Sequence, residues 1–299
     1  MTNFRTSLLC GLVFSMLVLG QPVWAQDKDD PEREGGVTGT GIVGTITRLG
    51  SIVVNGLRVT FADDMSLENP VAIALAQDLR PGHTVAAQVV PDGDDWQALS
   101  IAQVLPVVGP VSDVDQAGFW VLGTRVFADQ GTAVSQGDWV AVSGLWQLDT
   151  IVASRVDRIE PQPFASVTGT YFGPEDASRP LRIGTTLVDG IRPENARDGD
   201  VIRVRGQPGD GRLTAESIDL GLFDTRVGLV MAQGYMSAPS RAGHYAILGT
   251  GMAAFTETPN LIDTEILDTY CGIDGQILKS FEGPDQGVAQ IFARLGCQR

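Results

Sequence analysis

Apolar and polar residues alternate over short stretches along most of the chain, and glycine separates these stretches. Val85, Ala87 and Val89, for example, fall on one face of a predicted strand. An apolar residue, a glycine and a second apolar strand recur as one phrase at intervals of 61 to 67 residues, and its glycines are Gly56, Gly123, Gly184 and Gly249. The pattern predicts a row of similar small β-units rather than one large enzyme domain.

Two further features accompany the glycine phrase in the first three copies. A turn feeds a strand at Gly82-His83, Gly137-Asp138 and Gly199-Asp200. A closing strand follows each turn, over residues 98–101, 153–156 and 215–218. Because all three features keep their order, chance similarity is a poor explanation for them.

Each unit is predicted to contain five short strands, which in the first unit cover residues 42–48, 52–55, 57–61, 84–90 and 98–104. The strand face that carries Thr84 and Ala86 in the first unit, and Val201, Arg203 and Arg205 in the third, is expected to be mostly on the solvent side. A short helix is predicted over residues 71–79, with Asn69 as its N-cap.

Five strands with a helix before the fourth are the plan of a small OB-type Greek-key barrel, and short β-sandwich units are the alternative. The predicted fold class is therefore all-β, with tandem small five-stranded OB-like barrels and a C-terminal amphipathic helix.

The fourth copy is predicted to be partial. Residues 227–255 supply early strands, but no glycine turn with a closing strand follows. Residues 285–296 instead show helical apolar spacing, with Asp285 as the N-cap and Gly296 at the end. This helix is expected to close the open end of the last unit, held by a bond between Cys271 and Cys297.

The N-terminus has the three-part layout of a secretory signal. Arg5 precedes an apolar run over residues 8–19, and cleavage is expected between Ala25 and Gln26. An uncleaved anchor is the alternative, but the run is shorter than the ~20 residues that a spanning helix needs. The mature chain is expected to have no membrane span and to be periplasmic or secreted.

Cysteine use and charge extend this picture. Cys271 and Cys297 remain after cleavage, and an even count in an exported chain favours a disulfide over free or metal-bound thiols. The net charge is −15, or −16 after removal of Arg5 with residues 1–25. Such an acidic surface repels phosphate backbones, so no nucleic-acid partner is expected.

These observations give a predicted domain organisation. It comprises a signal peptide (1–25), a disordered acidic linker (26–38), barrel repeats (39–106, 107–162 and 163–222), and a partial fourth repeat with the helix and disulfide (223–299).

The strand, glycine phrase, turn and closing strand together resemble a bacterial exported repeat, the domain-of-unknown-function family 5666. The resemblance covers about residues 40–221 and continues more weakly to 255. It implies small β-barrel units in the cell envelope and no established catalytic residues. His83 departs from the pattern, because the other copies have Asp138 and Asp200 there.

Several motifs suggest chemistry but lack its context. Residues 39–44 match the dinucleotide fingerprint, but a charged segment precedes them and a predicted strand follows. Acidic residues at 63–64 and 92–95 supply too few oxygens for a calcium loop and are read as hairpin turns. His83 and His244 are expected to be surface residues without a nucleophile beside them. No catalytic residue, metal site or cofactor is predicted.

Trp139 is the one candidate binding residue. Its counterparts are Thr84 and Val201, so it is predicted to point outward. It then either packs against a neighbouring unit or forms a platform for a sugar ring or partner chain.

Three functions are compatible with these sequence features. The leading hypothesis is a non-enzymatic exported cell-envelope protein that binds a partner protein or glycan. The alternatives are an exported hydrolase that acts on wall material or polysaccharide with paired carboxylates, and a purely structural spacer.

Overall fold

Short strands joined by glycine turns account for most of the ordered elements. The computed structural model describes residues 39–129, 131–173, 180–278, 280 and 285–297. The predicted signal peptide, the cleavage site at Ala25 and Gln26, and the acidic linker lie outside these residues.

The strands fall into four groups of five, which we call units 1 to 4. Unit 1 contains β1 (Thr40–Arg48), β2 (Ile52–Val54), β3 (Leu57–Thr60), β4 (Thr84–Asp92) and β5 (Asp95–Gln103). Unit 2 contains β6 (Val107–Asp115), β7 (Gly118–Val121), β8 (Thr124–Phe127), β9 (Trp139–Gln147) and β10 (Thr150–Ile159). Unit 3 contains β11 (Ala165–Thr170), β12 (Leu181–Ile183), β13 (Thr186–Gly190), β14 (Val201–Gly209) and β15 (Arg212–Leu220). Unit 4 contains β16 (Leu229–Gly234), β17 (His244–Ile247), β18 (Met252–Phe255), β19 (Asp268–Ile273) and β20 (Gln276–Leu278), and helix α1 (Gln286–Arg294) follows it.

Units 1 and 2 are closed five-stranded barrels, so the predicted all-β barrel class is confirmed. In unit 1 the strands pair in the order β1-β2-β3-β5-β4, and β4 returns to β1. Unit 2 has the same order and closes through β6 and β9. Antiparallel closure removes the sheet edges that a short open sheet exposes.

Units 3 and 4 have the same strand order without full closure in the described residues. Unit 4 was predicted to lack a closing strand, and there the structure differs. Strands β19 and β20 take the places of β4 and β5 and are joined by a turn at Asp274 and Gly275, although no glycine-aspartate phrase precedes β19.

The units do not associate in their order along the chain. The first residues of β1 pair in parallel with β16, which joins unit 1 to unit 4 in one ten-stranded sheet. β6 pairs with β11, which joins unit 2 to unit 3 in a second ten-stranded sheet. Units 2 and 3 are therefore neighbours both in the chain and in the structure, whereas unit 1 pairs with the last unit of the chain.

Packing between units also buries strand faces that were expected to face solvent. Thr84, Ala86 and Val201 are all buried. Ala86 and Val201 belong to a hydrophobic cluster that units 1, 3 and 4 form together, and the Thr84 hydroxyl lies 3.4 Å from that of Ser154 in unit 2. Small hydroxyl and methyl side chains suit such faces, since they let neighbouring strands approach closely. The alternation was predicted correctly, but the second face packs against other units.

The helix predicted over residues 71–79 is not formed. Only a single 3-10 turn is present, at Ala76–Asp78. The Leu67 amide donates to the Ala74 carbonyl, and the Ala76 amide donates to the Met65 carbonyl. The segment thus folds back on the preceding chain, and its apolar side chains enter the core of unit 1.

Helix α1 is capped as predicted and packs on more of the protein than the predicted end of unit 4. The Asp285 carboxylate accepts from the amides of Gly287 and Val288. Phe292 and Leu295 are buried in a core that includes Ile42 and Trp96 of unit 1. The helix therefore covers unit 1 as well as the end of unit 4.

The bond between Cys271 in β19 and Cys297 after the helix is formed, with Cα atoms 5.9 Å apart. Within the described residues no helix has the length and apolar character needed to cross a membrane.

Candidate ligand-binding cleft

A polar cleft lies between units 1 and 3. Its volume is about 280 Å³. Unit 1 contributes the end of β5 and the loop before the 3-10 turn, and unit 3 contributes one face of β11 and β14. The lining residues are Asn69, Pro70, Val71, Gln103, Leu105, Ser166, Thr168, Arg203 and Arg205.

Strand geometry places the four polar side chains of unit 3 together. Ser166 lies opposite Arg205, and Thr168 lies opposite Arg203, in the antiparallel pair β11–β14. Side chains two residues apart share a face of a strand, and cross-strand partners are neighbours on that face. The same face therefore presents two hydroxyls and two guanidinium groups to the cleft.

The protein itself uses few of these polar groups. Ser166 and Thr168 are 8% and 5% exposed, yet their hydroxyls make no hydrogen bond to any described residue. Arg203 is partly buried and Arg205 is exposed, and neither guanidinium has an ion pair in the described part of the chain. Elsewhere Arg155, Arg125 and Arg212 each contact an aspartate.

Gln103 supplies the most specific feature of the cleft. Its side chain is 7% exposed, and its Nε2 donates to Ser143 Oγ across 3.5 Å. Its Oε1 is buried and has no hydrogen-bond partner. A buried acceptor left without a donor costs about 1–3 kcal/mol, so a bound donor at this position would restore a substantial interaction.

The charge of the cleft is opposite to that of the whole chain. Two arginines line it, and its described lining contains no carboxylate, whereas the net charge of the protein is −15. Guanidinium groups donate in a fixed fork that matches carboxylate and phosphate oxygens. The cleft can therefore bind a small polar ligand that carries negative charge and hydroxyl groups.

Trp139, the binding residue proposed from sequence, is not part of this cleft. It begins β9, is partly buried, and packs against the hydrophobic cluster of units 2 and 3. Its use as a ligand platform stays a prediction.

The cleft residues were not singled out from sequence, although a signal was present. Arg203 and Arg205 were assigned to a solvent-facing strand side. Ser166 and Thr168 show the same spacing on the paired strand, but only the packing of unit 1 over this face makes a cleft of them.

His83 is buried, which corrects its assignment to the surface. Only 1% of it is exposed. Its Nδ1 accepts from the Arg80 amide at 2.9 Å, so Nε2 carries the proton and donates to Asp157 Oδ2 at 2.8 Å. The ring thus links a turn of unit 1 to strand β10 of unit 2.

Asp157 is the carboxylate at the other end of this link. Burial raises the pKa of its carboxyl group, but the hydrogen bond from His83 and the charge and hydrogen bond of Arg155 outweigh burial. The pKa of Asp157 is consequently below its ordinary value. His244, in contrast, is exposed and contacts the edge of Phe255.

Residues 39–44 run into a strand and residues 92–95 form a hairpin turn, as expected, whereas residues 63–64 lie in a turn that leads from β3 into the following loop. The glycine fingerprint runs into β1, so no helix follows it to hold a pyrophosphate. Gly93 and Asp94 form the hairpin turn between β4 and β5, and Arg294 donates to the carbonyls of Gly93 and Asp95. No cluster of three potential metal ligands occurs among the residues described.

Comparison with protein families gives one match. The model of the family described as Domain of unknown function (DUF5666) matches residues 108–157, which span unit 2 from β6 to β10. The match does not extend over residues 40–221, so the resemblance of the other units stays a prediction. No curated protein and no solved structure matches the chain. In unit 2 the chain is thus similar to a family whose own function is unknown.

Proposed function

We propose that this chain is a non-enzymatic exported protein of the cell envelope that binds a glycan or the polar part of a partner in the cleft between units 1 and 3. One observation carries the proposal. The cleft gathers hydroxyl, amide and guanidinium groups, and one of them, the buried Oε1 of Gln103, has no hydrogen-bond partner in the described part of the chain. Native proteins seldom leave buried polar groups unsatisfied without a ligand or water to complete them.

Export is supported by the N-terminal sequence and by the disulfide. The apolar run over residues 8–19 and the small residue Ala25 have the layout of a cleaved signal. The Cys271–Cys297 bond is of a kind that persists in oxidising compartments. The proposed location of the mature chain is the periplasm or the cell exterior.

Binding is favoured over turnover by the composition of the cleft. Glycoside hydrolysis with two carboxylates needs an acid and a second carboxylate on opposite sides of the bond. The described lining has neither a carboxylate nor a histidine, and the histidine that is buried, His83, is engaged by Arg80 and Asp157. The side chains that line the cleft can donate and accept hydrogen bonds and can bind a charged group of a ligand.

Calorimetric titration tests the proposal. The chain from Gln26 onward is titrated with peptidoglycan fragments and soluble envelope polysaccharides, and the products are analysed for cleavage. We expect at least one of these ligands to bind without turnover. A double variant, Ser166→Ala with Thr168→Val, should weaken binding about tenfold, since each hydroxyl contributes about 0.5–1.5 kcal/mol.

The matched control is Ser112→Ala, which removes an exposed hydroxyl from unit 2. Binding that survives the cleft variant but disappears in Trp139→Ala would move the site to unit 2. Cleavage of a ligand by the wild-type chain would overturn the non-enzymatic part of the proposal.

A further inference from the structure

We propose that the ligand of this cleft is a small sugar acid, in which one ring carries both a carboxylate and hydroxyl groups. The inference rests on the proposed function and narrows it to one class of ligand. Charge, hydrogen-bond polarity and size each restrict what the cleft can accept.

The positive charge of the two arginines in the cleft favours an anionic ligand. Arg203 and Arg205 lie two residues apart on β14 and share the cleft, without a carboxylate in its described lining. Three other arginines of the chain contact an aspartate within 2.8 Å. A ligand carboxylate supplies the partner that an aspartate supplies elsewhere, in the bidentate geometry that guanidinium favours.

The hydrogen-bond donors and acceptors of the cleft favour a ligand that also carries hydroxyl groups. The unpartnered Oε1 of Gln103 is an acceptor, and a carboxylate has no proton to give it. A ligand hydroxyl can donate to Gln103 and accept from Ser166 or Thr168. A simple anion has no proton to donate to Gln103, and a neutral sugar offers the arginines hydroxyl oxygens but no negative charge.

Size and overall charge favour a short ligand. The volume of about 280 Å³ lies just below the range of about 300–1,000 Å³ that is usual for ligand pockets. The surrounding protein is acidic, with a net charge of −15, and repels a long polyanion at low salt. A single acidic ring, or the end of a short chain, avoids most of that repulsion.

The test compares three probes by calorimetry on the chain from Gln26 onward: D-glucuronate, D-glucose and acetate. D-galacturonate with D-galactose repeats the comparison with a second ring. We expect the sugar acids to bind about tenfold or more tightly than both the neutral sugar and acetate, because neither of these makes both sets of contacts.

Variants assign the two sets of contacts. Arg203→Gln and Arg205→Gln should reduce the affinity for the sugar acid toward that of glucose. Gln103→Leu should reduce it toward that of acetate. Gln103→Glu, which keeps the side-chain shape and adds a carboxylate to the cleft, should weaken sugar-acid binding more than glucose binding, and it serves if the leucine variant does not fold. Arg241→Gln removes an exposed arginine of the loop before β17 and should change nothing.

The outcomes separate this inference from the proposed function. Acetate binding as tightly as glucuronate would overturn the inference in favour of a simple anion site. Glucose binding as tightly as glucuronate would overturn the acidic ligand and leave a glycan-binding cleft. If none of the probes binds while a larger envelope glycan is lost on Ser166→Ala with Thr168→Val, the sugar acid is wrong and the proposed function stands.

Discussion

His83 shows how one unit replaces a turn residue of the others with a different side chain. Asp138 Oδ2 accepts from the Ser135 amide at 2.8 Å, and Asp200 Oδ2 accepts from the Arg197 amide at 2.6 Å. His83 Nδ1 accepts from the Arg80 amide at the same position of its turn. The imidazole keeps the turn contact through Nδ1, and its second nitrogen, Nε2, donates a hydrogen bond to Asp157 in unit 2.

Replacement of His83 should separate these two roles. His83→Asn keeps an acceptor for the Arg80 amide but loses the contact with Asp157, so we expect a loss of about 1–3 kcal/mol in the free energy of unfolding. His83→Ala removes both contacts and should cost more. Urea denaturation measures both, with the exposed His244→Asn as the control. Equal stability of His83→Asn and His244→Asn would contradict the role of this contact.

The carboxylate partner gives a pH dependence with a definite sign. The pKa of Asp157 is lower in the folded than in the unfolded chain, so the unfolded chain binds more protons as the pH falls below about 4. The stabilisation from Asp157 is therefore complete at higher pH and lost on acidification through that range.

The variant Asp157→Asn should thus be less stable than the wild type at pH 6, and the difference should shrink below about pH 4. Thermal unfolding monitored from pH 3 to pH 7 measures the change. Asp64→Asn, at an exposed position without a hydrogen bond among the described residues, is the control. A difference that does not vary with pH would show that the carboxyl charge is not the cause.

At the scale of elements, the sequence predicted strands better than it predicted what lies between them. The predicted residues 84–90 correspond to β4 at Thr84–Asp92, because alternation and flanking glycines are local signals. Residues 71–79 were predicted as a helix. In the structure this segment instead forms backbone hydrogen bonds with Met65 and Leu67, which precede it in the chain. Such tertiary contacts override local propensity and leave no pattern in the segment itself.

The C-terminal helix is the element whose ends were predicted most closely. Asp285 caps it, and Gly296 follows its last turn with a φ of +77°. Its apolar spacing predicted one buried face but not which unit covers that face. The position of the partner depends on the pairing of β1 with β16, about 190 residues further along the chain.

The cap itself can be tested. Asp285→Ala removes the acceptor for the amides of Gly287 and Val288 and should cost about 1 kcal/mol of unfolding free energy. Asp285→Asn keeps an acceptor and should stay close to the wild type. Urea denaturation gives the free energies, and amide exchange in the first turn of α1 locates the effect. A loss as large in Asp285→Asn would implicate the charge instead of the cap.

At the scale of the whole molecule, the arrangement of units decides where the cleft forms. Unit 1 pairs with unit 4 and unit 2 with unit 3, so the β11–β14 face of unit 3 lies against β5 and the loop of unit 1. The units share one strand order and have similar valine-rich strands. The sequence pattern therefore does not indicate which units pair with each other. The alternating polar residues of the cleft could therefore be recognised in the sequence, but their position between units 1 and 3 could not be predicted.

Removal of the disulfide tests whether unit 1 depends on the end of the chain. Cys297 holds α1 to β19 of unit 4, while Phe292 and Leu295 complete the core that contains Ile42 and Trp96. The double variant Cys271→Ala with Cys297→Ala should lose about 3 kcal/mol of unfolding free energy. Since the helix covers unit 1, amide exchange should also accelerate in β1 and β5 and remain slow in β10.

The control is the oxidised wild type treated with a reductant, which should reproduce the exchange pattern without any substitution. If the units were independent of one another, faster amide exchange would be confined to unit 4 and α1. Acceleration in β1 and β5, which lie far before Cys271 in the chain, requires that the pairing of β1 with β16 and the docking of α1 make units 1 and 4 one cooperative structure. The same coupling holds the Gln103 side of the cleft, at the end of β5, in place.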